Sequence, residues 1–263
     1  MDTHDRTVRR RLAQALPLAL ALAFASATPA AVGAAAAEPD AAAILAQSDR
    51  ARGGGLPGIT WDVVAETTGS TDDDATSRMV LRVSAADNAS VAETLEPLRQ
   101  KGARMLNVDR VMWLTRPGLK KPVPISPRQR LTGQAAVGDI AATNYVQDYA
   151  PTLQREEGCG ERRCWVLELT AKAKNTTYDR VLYWVTVDGH VAARAQFYSV
   201  SGKLLKSADF EYANTVDYQG RRIPFVSRMV IRDALSAATT TLDYSRITVQ
   251  KIPETLFDVG HLD

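Results

Sequence analysis

Cysteine and histidine are scarce in this 263-residue chain, which has two of the first and three of the second. Beyond residue 36 the soft or imidazole ligands reduce to Cys159, Cys164, His190 and His261. Zinc takes three or four such ligands in one place, so no metal centre or other cofactor is expected. A nucleophile also needs a base beside it, most often histidine. His190 follows the turn pair Asp188-Gly189 and His261 lies among the last three residues, both surface positions. Gly-x-Ser-x-Gly elbows, phosphate-cradling glycine loops and His-Glu-x-x-His helices are all missing. Asp72-Asp73-Asp74 lacks the spacing and closing glutamate of a calcium loop and reads as a solvated turn. Glu156-Glu157 are adjacent on what reads as a loop, which defines no carboxylate separation for glycoside chemistry. Catalytic residues are therefore not expected, and the chain is read as non-enzymatic, with an enzyme of unrecognised mechanism as the remaining alternative. Lysine and arginine are scattered among acidic residues, without the basic stripe that a nucleic-acid partner requires.

What is present begins with a leader. Thr7-Val8-Arg9-Arg10-Arg11 is followed by an apolar stretch from Leu12 to Phe24 and a small-residue tail ending Ala34-Ala35-Ala36-Ala37-Glu38. That order of charged, apolar and cleavable parts marks an export peptide, residues 1–36, with cleavage near Ala36. Pro17 and Pro29 break the apolar part, which is short for a permanent span; an uncleaved anchor and twin-arginine export are the alternatives. No cysteine precedes Cys159, so there is no lipobox for an acyl anchor. A soluble periplasmic protein is expected, not lipid-anchored. The leader holds four arginines and two aspartates, so removing it takes the net charge of +2 to about zero. With 45% hydrophobic residues, the remainder, 37–263, can bury the core of a single domain. Outside the cytoplasm, Cys159 and Cys164, flanked by glycine, read as a small disulfide loop at the head of a strand, with free thiols as the alternative.

The pattern then gives a helix followed by many strands. Asp40 is placed to cap a helix through Arg52, which Gly53-Gly54-Gly55 stops. Period-two alternation over Ile59–Ala65 and Met79–Val83 predicts a hairpin across Ser70–Thr76. Residues 85–99 read as a connecting loop with some helix, and Met105–Val108 with Val111–Thr115 as a short strand pair. Pro117, Pro122, Pro124 and Pro127 exclude a central strand over 116–131, while 131–149 is ambiguous between helix and strand. Further strands are predicted at Trp165–Thr170, Arg180–Val187, Val191–Tyr198, Leu204–Tyr212, Ile223–Ile231 and Thr239–Val249. Turns at Asp188-Gly189, Ser201-Gly202 and Gln219-Gly220 join several of them. The class is α+β: a strongly curved antiparallel sheet with a few helices on its concave side. Val181, Tyr183, Val185 and Val187 share one face, yet Leu182 and Trp184 stand on the other. Either the core is two-sided, or one concave face encloses a cavity for a lipid-like ligand.

From Val111 onward the chain resembles the LolA-like outer membrane lipoprotein-sorting family. Met112-Trp113-Leu114-Thr115-Arg116-Pro117 with the basic, proline-containing run to Ile125 is similar to that family's Trp-Leu-x-x-Pro strand and loop. Ala136–Ile140 resembles its Gly-Ser-Asp-Phe segment, with Ile140 where an aromatic is usual. Cys164–Leu169, Val181–Val187, Asp188-Gly189 and Phe197–Lys206 resemble its hairpins, and Ile223-Pro224, Thr239–Ile247 and Ile252–Phe257 its closing strands. The resemblance implies an incomplete antiparallel β-barrel closed by helices. Its hydrophobic interior would hold acyl chains of lipoproteins or other lipids and carry them toward the outer membrane. An inner-membrane transporter and an outer-membrane acceptor would be its partners. A sensor domain of the same fold, like periplasmic anti-sigma regulators, is the alternative. Aromatic and methionine side chains suit an adaptable lining. The candidates are Trp61, Met79, Leu81, Trp113, Trp165, Trp184, Phe197, Phe210, Phe225 and Met229, each with ordinary core packing as the other explanation.

Overall fold

The computed structural model describes residues 39–69, 78–86, 89–108, 110–141 and 144–261. The leader, the Ser70–Thr76 turn and Asp72–Asp74 lie outside the described residues, as does the side chain of His261. Helix α1 (Ala41–Arg50) opens the described chain, and the Asp40 carboxylate accepts the Ala42 N–H to cap it. The turn after it carries Gly53 at φ +100°, a conformation that glycine alone adopts without strain.

Thirteen strands among the described residues form one open antiparallel sheet. One half runs outward from β1 (Ile59–Thr68) through β2 (Arg78–Ala86), β3 (Ala89–Glu96), β4 (Arg104–Val108) and β5 (Val111–Thr115) to the edge strand β6 (Val123–Ile125). Pro124 is tolerated in β6 because an edge strand need not donate on both sides. Two short strands, β7 (Arg130–Thr132) and β8 (Ala135–Ala136), then pair with each other, and α2 (Val137–Ala141) and α3 (Tyr145–Asp148) follow. The other half returns from the edge strand β9 (Tyr149–Cys159) through β10 (Arg162–Ala171), β11 (Arg180–Thr186), β12 (Ala192–Tyr198) and β13 (Leu204–Glu211). The hairpin of β14 (Asn214–Tyr218) and β15 (Arg221–Phe225) stands apart as a sheet of two. Strands β16 (Arg228–Asp233) and β17 (Thr239–Val249) then close onto β13 and β1, joining the halves.

Four sequence readings require correction. Residues 89–96 are a strand, not a loop; Ala, Glu and Leu there favour helix in isolation, and burial of Ser90, Val91, Ala92 and Thr94 between neighbours overrides that preference. Glu156 and Glu157 sit in β9, where Arg163 and Arg155 neutralise them. Ile223–Ile231 is not one strand: at Val226-Ser227 the backbone N–H groups turn to Ala51 O and Glu211 O, which ends β15 and starts β16 in another sheet. In the turn after β11 the left-handed residue is His190, at φ +52°, not Gly189.

The sheet has two distinct faces. One face carries a single core made by residues as separated in strand order as Met105 and Met112 on β4 and β5 and Leu167 and Leu169 on β10, so the sheet wraps around it. The other face carries ion pairs in cross-strand register: Asp62 with Arg82, Asp209 with Arg194, and Asp243 with Arg228. The pairs of Asp209 and Asp243 are exposed and each contributes little, whereas the Asp62 carboxylate is buried beneath Arg82 and Arg246.

Candidate functional site

The ten candidate lining residues do not form one surface. Trp61, Met79, Leu81, Phe197, Phe210, Phe225 and Met229 all point into the main core and are nearly or fully buried. Trp61 packs on Phe225 with ring centroids 5.7 Å apart. Trp165 is half-buried against the same core and packs on His190 at 5.1 Å. Trp113 and Trp184 lie outside it, for a reason visible in the alternation of their strands. Met112 and Leu114 face the core, so Trp113 faces the opposite side, where Leu256 and Phe257 of the C-terminal segment cover it. Tyr183 and Val185 face the core, so Trp184 joins Cys164 and Val166 on the outside, and its indole N–H donates to Glu157 at 2.5 Å. Cys159 and Cys164 are joined there, at the β9–β10 turn, with Cα atoms 5.9 Å apart.

Around Trp61, Ile140 and Phe225 the interior between helices and sheet is close-packed. The void beside Trp61 and Phe225 has a volume of about 10 Å³, room for at most about one water molecule. Packed into this apolar core is a polar island that the candidate list did not contain. Asp139 on α2 is fully buried and accepts from the Lys206 ammonium at 2.5 Å, the Tyr178 hydroxyl at 2.7 Å and the Ala136 N–H at 2.8 Å. Lys206 on β13 also donates to the Gln134 carbonyl at 2.8 Å. Nearby, the buried Arg52 guanidinium stacks on Tyr145, 4.4 Å from the ring centroid. Burial drives the Tyr183 hydroxyl up to about 12, and raises Tyr145, Tyr149 and Tyr178 as well, so all four stay neutral donors and acceptors. The island ties α2, the segment before β11 and β13 together. One signal in the sequence pointed to it: alternation through Lys206, Ala208 and Phe210 places a lysine on an inward row.

The interior reaches solvent at a cleft of about 570 Å³. Its walls are the turn after β3, the 116–119 turn and the chain leading into α2. Its floor is Met105, Leu114, Ile125, Leu131 and Val137, every one of which also belongs to or packs against the main core. The apolar core thus continues to the surface at this end of the sheet. Leu98, at the rim, is 85% exposed. Sequence reasoning missed the cleft because its parts come from five segments that nothing in the local pattern links.

Among the described residues there is no group of three or more histidine, cysteine or acidic residues able to hold a metal ion. Nor is any described helix long and apolar enough to cross a membrane.

Comparison with known proteins places these features in a lineage. A family model described as an uncharacterized protein matches residues 86–263. No curated protein matches the chain. Among solved structures, a LolA superfamily protein from Nitrosomonas europaea is 34% identical, with a TM-score of 0.73, over 83% of this chain and 97% of that one. A Vibrio parahaemolyticus domain described as an outer membrane lipoprotein-sorting protein shares the fold at 20% identity and a TM-score of 0.70, over 84% and 97% of the two chains. A DUF1329 family protein from Desulfovibrio piger does so at 19% and 0.70, over 85% and 98%. By the identity and the coverage of the Nitrosomonas protein, the chain belongs to the LolA superfamily.

Proposed function

We propose that this protein is a periplasmic carrier that takes up acyl chains of a lipid or lipoprotein and moves them toward the outer membrane. The observation that carries this reading is the cleft floor: five side chains from β4, β5, β6, β7 and α2 that extend the buried core to solvent. An apolar floor under an open mouth of this size is the usual form of a small-molecule site, which ranges over about 300–1,000 Å³. Each methylene removed from water there gains about 0.8 kcal/mol, so even a partly inserted acyl chain is held. One similar structure, the Vibrio parahaemolyticus domain, is described as a lipoprotein-sorting protein, which supports the same role. The export-type leader would put the protein where such cargo travels, between a transporter in the inner membrane and an acceptor in the outer one. The candidate lining residues of the packed interior would take part only if the helices move aside to admit more chain.

Titration of the leaderless protein with a fluorescent fatty acid tests the reading. Saturable uptake is expected, weakened about five- to tenfold by Leu114→Gln on the cleft floor with the fold retained. The absence of saturable uptake by the unaltered protein would refute it.

A further inference from the structure

The cleft mouth carries charge of one sign. Arg99, Lys101, Arg116 and Arg130 line it, and among the described lining residues there is no carboxylate. The two carboxylates of β3, the strand that leads into the mouth, are engaged elsewhere: Glu93 with Arg104 and Glu96 with Arg78. Lys101 and Arg116 stand on separate turns that touch each other. A Cβ on Gly102 would sit 3.4 Å from Cγ of Pro117, and the Leu119 N–H closes the second turn onto Arg116 O at 2.9 Å. Arg99 and Arg130 make other contacts of their own and add to the positive field. The mouth is therefore cationic directly above an apolar floor, with exposed Leu98 at its edge.

We infer that the cleft is a headgroup site for an anionic phospholipid, whose phosphate lies between Lys101 and Arg116 while an acyl chain descends onto Leu114, Ile125 and Leu131. This deepens the carrier reading and rests on it: acyl burial supplies affinity, and the cationic mouth selects the head. A guanidinium matches phosphate oxygens with two parallel hydrogen bonds, and a lysine supplies a point charge. A neutral or zwitterionic head gains no net attraction from such a field. Arg116 and Arg130, read from the sequence only as part of the proline-rich 116–131 segment, thereby acquire a use.

The test presents the leaderless protein with vesicles of phosphatidylcholine alone, or of phosphatidylcholine mixed with phosphatidylglycerol of the same chains. Lipid removed into the soluble protein fraction is then measured. The expected result is preferential removal of phosphatidylglycerol by about tenfold, weakening with salt and lost in Lys101→Glu/Arg116→Glu, while Arg163→Glu, a reversal of an exposed charge on β10, keeps the preference. Unchanged melting temperatures show that the variants fold. Equal removal of both lipids, unaffected by the double reversal, overturns the headgroup site and leaves the carrier reading standing. Removal of neither lipid overturns both. Binding to the anionic vesicles without extraction overturns the site in favour of docking at a membrane surface. Competition by inorganic phosphate at the affinity of the lipid overturns it in favour of a simple anion site.

Discussion

The buried ion pair of Lys206 and Asp139 is the point where a single side chain matters most. Two charges removed from water are held by three further hydrogen bonds, and such a pair contributes little net stability compared with an apolar replacement. Removing one partner alone is costly because the other charge stays buried. Lys206→Met is expected to destabilise by about 3–5 kcal/mol in denaturant melts, more than Arg228→Met at the exposed pair with Asp243. Asp49, on the same side of the sheet, is pushed up from the ordinary 3.8 to about 7, chiefly by desolvation, against the Val146 N–H and Arg52, which favour its charge. The folded protein thus keeps a proton on Asp49 that the unfolded chain releases. This stabilising difference is complete below pH about 4, falls as pH rises, and is gone above about 7. Asp49→Asn keeps an acceptor for Val146 and removes the titration. Melting curves across pH 4–8 should therefore show the unaltered protein losing stability relative to the variant as pH rises. Parallel curves would refute the assignment. Of these residues, Lys206 could have been found from its inward place in an alternating strand, and Asp139 entered the sequence reading only as part of the Ala136–Ile140 motif.

Strands, turns and helices were legible wherever alternation and turn residues coincided. Strand β17 follows Thr239–Val249 as read, and β4 and β5 were recognised from Met105–Val108 and Val111–Thr115. Strand β3 was not, because its Ala, Glu and Leu content looks helical until both sides are covered, and neither was β9, an edge strand in which only Tyr149 and Leu153 meet the core before the charged run Arg155–Glu157. Two glycines fix how β8 seats on the sheet and how α2 seats on the segment before β11, and close approach is the reason for both. A Cβ on Gly133 would lie 1.9 Å from Thr67 Oγ1, and one on Gly138 would lie 2.0 Å from Thr177 Oγ1. Gly138→Ala is expected to cost about 1–3 kcal/mol through displacement of α2, whereas Gly158→Ala, on the edge strand with open space around it, should be near neutral. Comparable melts for the two variants would contradict this account of α2. The disulfide closes a loop with a sequence separation of five, so reduction should cost about 2 kcal/mol and disturb only the β9–β10 end.

The described part of the molecule is an open sheet wrapped on a core that reaches solvent at the cleft below β3 and β4. Its class, its order of helix before strands and its lineage followed from period-two patterning and from motifs along Val111–Phe257. The open cleft did not. Aromatic content singled out residues that fill the interior or lie on the other face, as Trp113 and Trp184 do, while the open cleft is built from leucine, isoleucine, methionine and valine with a cationic rim. A helix-covered core and an accessible mouth together suit cargo that must be held and then released. The direct test is mass spectrometry of an organic extract of the protein isolated from its native envelope without detergent, beside a soluble protein treated identically. The carrier account predicts an acylated species in stoichiometric amount and absent from the control. An empty extract that stays empty after incubation with envelope lipids would contradict it.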